Sequence, residues 1–144
     1  MALKFLRRLF RRKPVWDAAA NTTEHGDGTF LVQGPASNWV IVRDGEDFIL
    51  IDSGYPADAT RVIDSIRAVG LEPASAKALL ITHGHADHTG AARLFSTTFG
   101  TPVYCAAAEI PQLTGQVKHQ VTFPLVLPRV LQHGVLAWML HAIG

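Results

Sequence analysis

The sequence predicts one layered α/β domain, and three observations carry that reading. Strand-like runs joined by short turns open it, apolar runs alternate with helical spacing behind them, and a histidine-rich segment follows a buried strand. At the front, residues 29–33, 39–42 and 48–51 read as strands after a polar stretch from Asp17 to Asp27. The second and third are joined across Asp44-Gly45, where glycine tolerates the positive φ of a tight hairpin. Ile49-Leu50-Ile51 is apolar without alternation, which predicts a strand covered on both faces, and a loop begins at Asp52-Ser53-Gly54-Tyr55-Pro56. From Asp58 as N-cap, Val62, Ile63, Ile66 and Val69 recur at helical spacing until Gly70 ends the run. Residues 78–81 form a second buried strand. Further helices are expected over about 90–99 and 107–113, with a strand at 102–105 between them.

With 48% hydrophobic and 17% charged residues over 144 positions, the chain has material for one real core. Net charge is +1, yet 6 of the 13 Lys and Arg fall within the first 13 positions, so the rest carries an acidic balance that excludes a nucleic-acid-binding groove. Cys105 is the only cysteine, so no intrachain disulfide or cysteine-rich zinc framework can form, and any metal must be held by histidine and carboxylate.

Residues 1–14 are expected to form a basic amphipathic arm ahead of a domain over 15–144. Residues 1–13 interleave apolar and basic side chains, which suits peripheral contact with an anionic membrane surface; the alternative is a solvated basic tail. No uninterrupted apolar region follows the charges, so a secretory signal is not expected and the cytoplasm is. Residues 121–144 are strongly apolar but interrupted by Pro124, Pro128, Arg129, Gln132, His133 and His141, which argues against a membrane span and for a covered helix from about Val130 onward.

The chemistry concentrates in Thr82-His83-Gly84-His85-Ala86-Asp87-His88-Thr89-Gly90. Residues two apart on a strand or tight turn share a side, so His83 and His85 can reach one ion, and Asp87 with His88, past the turn, a second. Imidazole with carboxylate suits zinc, though iron or manganese accept the same ligands. A catalytic ion keeps a position open for water, whose pKa it lowers toward ~7. The alternative reading, surface histidines in a loop, sits poorly with a segment placed where α/β domains carry their chemistry, past the carboxyl end of a strand.

That segment resembles the H-x-H-x-D-H motif of the metallo-β-lactamase superfamily, and Leu50-Ile51-Asp52-Ser53-Gly54 resembles the family's other N-terminal motif, in the right order. Asn38 upstream, and Glu109 with Leu113-Thr114-Gly115 downstream, resemble the glyoxalase II-like branch. The resemblance implies an αββα sandwich with two metal ions, zinc foremost, at one edge. His83 and His85 would serve site one, and Asp87 and His88 site two. Asp52 would hold the histidine loop by hydrogen bonds; its alternative role is a loop-capping aspartate with no tie to the metal. The implied reaction is attack of metal-bound hydroxide on an ester, thioester, lactone or similar carbonyl, with Asp87 orienting the nucleophile.

The family completes its site with a third histidine, a bridging aspartate and a last histidine from its C-terminal half. His119, His133 and His141 are the only downstream histidines, and no acidic residue follows Glu109. The expectation is therefore the N-terminal half of the fold with the C-terminal half missing. Two readings follow: a metal-dependent hydrolase, or an inactive half-domain that binds metal weakly or needs a partner chain to supply the missing half.

Overall fold

The structure is a computed structural model that describes residues 16–117, 127–129, 132 and 134–143. The basic arm, residues 1–14, and the candidates His119 and His133 lie outside the described residues.

A mixed sheet of six strands, lying side by side in sequence order, organises the described residues. The strands are β1 (Thr22–Glu24), β2 (Thr29–Gln33), β3 (Asn38–Asp44), β4 (Asp47–Ile51), β5 (Ala76–Ile81) and β6 (Val103–Cys105). Pairing is antiparallel from β1 to β4 and parallel from β4 through β6. The β3–β4 hairpin pairs Asp44 with Asp47, leaving Gly45-Glu46 as a two-residue turn with Gly45 at φ 62. β1 falls within the stretch the sequence marks only as polar. It is three residues long and pairs with β2 at the sheet edge, where short polar strands resist further pairing.

Between β4 and β5 runs α1 (Ala59–Ala68), whose Val62 and Ile66 are fully buried. Burying each contributes roughly 1.5–3 kcal/mol. Gly70, at φ 76, closes it: its N–H donates to Arg67 O (2.9 Å) and that of Leu71 to Ile66 O (3.1 Å), with Leu71 and Ile66 both buried. Asp58 stands at the N-cap position, as expected, but makes no cap bond to α1; its carboxylate turns back to accept the Tyr55 N–H at 3.1 Å.

After β5 the chain makes one turn of helix, α2 (Ala86–Thr89), then α3 (Ala92–Leu94), which widens into a π-helix over Phe95–Phe99 before Gly100. The helix expected from Gly90 thus starts two residues later, and the Gly90 N–H is held by Gly54 O at 2.7 Å. A 3-10 turn (Ala107–Glu109) leads into α4 (Ile110–Leu113), and α5 is Val135–Ile143, inside the helix expected from about Val130.

The core lies on one face of the sheet. Phe30, Val32, Trp39, Ile41, Phe48, Leu50, Leu79 and Ile81 point into it and meet Val62, Ile66, Ala91 and Phe95. On β2 to β5 the alternate side chains, Leu31, Val40, Ile49, Ile51 and Leu80 among them, are only half-buried. Two-sided coverage of residues 49–51 is therefore met on one face alone among the described residues. The result is an α/β layering with one helical layer on one sheet. No helix among the described residues is long and apolar enough to cross a membrane.

Candidate metal centre

Parallel neighbours end at the same edge of a sheet, and this brings two loops far apart in sequence together. Ile51 of β4 pairs with Leu80 of β5, and the Asp52 N–H extends the ladder to Leu80 O at 2.8 Å. Asp52 then turns with φ 59, a left-handed conformation that aspartate tolerates better than most residues. Its carboxylate, largely buried, meets the histidine segment: Oδ1 accepts the Thr82 N–H (2.8 Å), while Oδ2 accepts the Thr82 hydroxyl (2.7 Å) and faces His88 Nδ1 (2.8 Å).

The same segment gathers the imidazoles. The ring of His83 lies 4.6 Å from that of His85 and 3.9 Å from that of His88, centroid to centroid. Thr82 Oγ1, having given its proton to Asp52, can only accept from His83 Nδ1, 3.1 Å away. The network therefore assigns a proton to Nδ1 of both His83 and His88.

His88 poses a counting problem. Its Nδ1 faces Asp52 Oδ2 at 2.8 Å and its Nε2 faces Asp87 Oδ2 at 3.2 Å, so carboxylate oxygens flank both nitrogens. A neutral imidazole has one N–H and satisfies one of them; the second contact needs another proton or a cation. Two ligands of a tetrahedral ion held at roughly 2.0–2.1 Å stand about 3.3 Å apart, so the Asp87–His88 spacing fits a shared ion. The donor set fits a divalent metal on that ground. Among the described residues, no three His, Cys, Asp or Glu side chains already converge on one point. Pairs of donors are in place, and a closed cage is not.

Backbone contacts lock the two loops together. Ser53 donates its N–H (2.8 Å) and hydroxyl (3.0 Å) to His88 O, and its own Oγ accepts the Ala91 N–H (3.2 Å). Gly90 admits nothing larger, since an added Cβ would lie 2.0 Å from the Tyr55 carbonyl carbon. On the other side, Glu109 Oε2 accepts the Gly84 N–H at 2.8 Å. His141 is placed elsewhere: its Nε2 meets the fully buried Asp58 at 2.9 Å, beside the Trp138 indole, which donates to Tyr55 Oη at 3.1 Å. Burial pushes the Tyr55 phenol above its ordinary 10.0; the Trp138 hydrogen bond opposes this, and the Asp87 and Asp58 carboxylates add to it.

Sequence reasoning missed Tyr55, Ser53 and the contact made by Glu109. The polar residues after β4 were legible as a loop, but nothing local in them shows which carbonyls they meet.

Comparison with known proteins bears on this arrangement. The family model of the metallo-beta-lactamase superfamily matches residues 32–142, taking in both the Asp52 loop and the histidine segment. The chain is similar to a hydroxyacylglutathione hydrolase of Nitrosomonas europaea, 38% identical over 117 residues that cover 80% of this chain and 42% of that protein. It is also similar to the probable metallo-hydrolase YybB of Bacillus subtilis, 33% identical over 82 residues, 57% of this chain and 35% of that protein. Among solved structures, the metallo-beta-lactamase SMB-1 in a complex with mercaptoacetic acid matches with a TM-score of 0.60 at 27% identity, covering 65% of this chain and 36% of that one. The chain spans about a third of the length of the curated relatives it matches. From the breadth of the family match and the shared fold, the chain belongs to the metallo-beta-lactamase superfamily.

Proposed function

We propose that this chain is the metal-binding part of a hydrolase, with His83, His85, Asp87 and His88 as ligands, zinc as the foremost ion and iron or manganese as alternatives. The observation that carries the proposal is the position of His88 between two carboxylates, Asp52 at 2.8 Å and Asp87 at 3.2 Å, a contact set that a cation completes. When bound, such an ion acidifies water and polarises a carbonyl oxygen. The chain's own work is orientation. Asp52 keeps the proton on His88 Nδ1 and, through the Thr82 hydroxyl, on His83 Nδ1. Asp87, about one third exposed at its side chain, would orient a water by accepting its hydrogen bond.

The substrate class is an ester, thioester, lactone or related carbonyl compound. Similarity to a protein named for hydrolysing an acyl-glutathione supports the thioester within that set. A second reading, a half-domain that binds metal weakly or relies on another chain, is favoured by the lack of three convergent donors among the described residues. Metal content of the purified chain, beside a His85→Ala control and followed by assay on a generic thioester and lactone, separates the two. About two ions per chain, with turnover lost in the control, upholds the hydrolase. Little bound metal and no turnover upholds the half-domain and overturns the first reading.

A further inference from the structure

A hydrogen bond on the far side of the histidine turn assigns a second support to the site. We infer that Glu109 is a positioning residue that sets the spacing of His83 and His85 by holding the Gly84 N–H between them. The inference rests on the proposed metal reading of those histidines.

Glu109 stands immediately before α4 and makes no cap bond to it. Instead its Oε2 reaches 25 residues back in the chain to accept the Gly84 N–H at 2.8 Å. Gly84 is buried, and the stem of Gln112, one turn further along, lies against it: a Cβ added at Gly84 would fall 2.8 Å from Gln112 Cγ. The peptide linking His83 to Gly84 is therefore gripped by a charged acceptor on one side and packed on another. Asp52 holds the segment from the β4 side through Thr82 and His88, but the hydrogen bonds described for it do not reach Gly84 or His85. Without Glu109, the Gly84 N–H loses its carboxylate acceptor and must be satisfied by water.

The contact requires an acceptor of glutamate's length, and its negative charge is secondary. That distinction makes the inference testable on the full chain with three variants, Glu109→Ala, Glu109→Gln and Glu109→Asp. Two readouts are taken: cobalt(II) affinity with the visible absorption spectrum of the bound ion, and hydrogen exchange of the Gly84 amide without metal. Glu109→Ala is expected to lose Gly84 protection, weaken cobalt binding about 10- to 100-fold, the range for residues that orient metal ligands, and alter the cobalt spectrum. Glu109→Gln, which keeps an oxygen in place, is expected to retain most of both, whereas Glu109→Asp, one methylene short, falls with alanine. Should alanine prove too unstable to purify, the glutamine and aspartate variants decide alone. Parental cobalt affinity and spectrum in Glu109→Ala, or retention by aspartate with loss in glutamine, would overturn the inference. Failure of the parent chain to bind cobalt would instead sink the metal reading, and the Gly84 exchange would still show whether Glu109 holds the turn.

Discussion

Replacing Asp52 by asparagine changes one atom of the side chain and, in one orientation of the amide, reverses the hydrogen bonds that run through the Thr82 hydroxyl to His83 and to His88. Asparagine accepts the left-handed conformation at this position, φ 59, as readily as aspartate, so backbone strain does not confuse the result. Two orientations of the amide are open. If its oxygen keeps the Thr82 N–H, its NH2 faces the Thr82 hydroxyl and His88 Nδ1, which must now accept. The proton of His88 then moves to Nε2, the Thr82 hydroxyl turns toward His83 Nδ1, and both imidazoles lose the lone pairs that point at the site. Metal affinity should fall about 10- to 100-fold, or roughly 1.4–2.7 kcal/mol at 1.4 kcal/mol per tenfold. If the amide flips, the Thr82 N–H is left facing a donor, and the cost of about 1–3 kcal/mol appears in folding stability instead. Zinc competition against a chromophoric chelator and a urea melt of the metal-free chain together capture both outcomes. A variant with zinc affinity within about twofold of the parent and an unchanged urea midpoint would refute the reasoning, because neither orientation of the amide permits it.

Three further outcomes follow from the same geometry. Gly90→Ala forces a Cβ to within 2.0 Å of the Tyr55 carbonyl carbon, a backbone atom that cannot swing away, so the urea midpoint should drop by the equivalent of about 2–3 kcal/mol; a parental midpoint would show that the two loops can part freely. The Tyr55 phenol has its folded pKa raised above its ordinary 10.0, so the folded chain holds this proton where the unfolded chain releases it. The stability it contributes is therefore complete below about pH 10 and lost as pH rises through the folded value. Urea melts between pH 8 and 11 should show a steeper alkaline decline for the parent than for Tyr55→Phe, and equal slopes would contradict the burial of the phenol. Zinc at about 100 times its dissociation constant should raise unfolding stability by about 2.7 kcal/mol, reversibly with a chelator and far less in His85→Ala; a melting temperature indifferent to zinc in the parent would remove the metal from the native state.

Much of the fold was legible because the signals were local. The period of Val62, Ile66 and Val69, the stop at Gly70 and the hairpin glycine at Gly45 each act within one or two turns of chain, and each sits where the pattern places it. β1 was not legible, since Thr22–Glu24 carries no apolar alternation and becomes a strand only through pairing with β2. Nor was the break between α2 and α3 at Gly90, whose N–H goes to Gly54 O in place of an intrahelical carbonyl. At the site, the motif names its donors by residue type. The partners of those donors, Thr82 for His83, Asp52 for His88 and Glu109 for Gly84, are contacts across 1, 36 and 25 residues respectively. The Asp52 contact was legible only through the family resemblance, and the Glu109 contact had no pattern to reveal it.

The convergence of the Asp52 loop and the histidine segment is at bottom a matter of strand register. Asp52 reaches Thr82 and His88 because Ile51 lies beside Leu80 and one more ladder bond carries the alignment past the end of β4. Slipping β5 by one residue would move Thr82 about 3.3 Å along the strand, enough to break each hydrogen bond to the carboxylate. It would also turn Leu79 and Ile81 out of the core and bring the half-buried Leu80 in, so the cost of the slip is borne by apolar burial. Burial of Leu79 and Ile81, at roughly 1.5–3 kcal/mol each, thus guards the arrangement of polar groups. The register holds the polar network in place, and the network in turn decides which nitrogen of His83 and His88 meets Thr82 and Asp52.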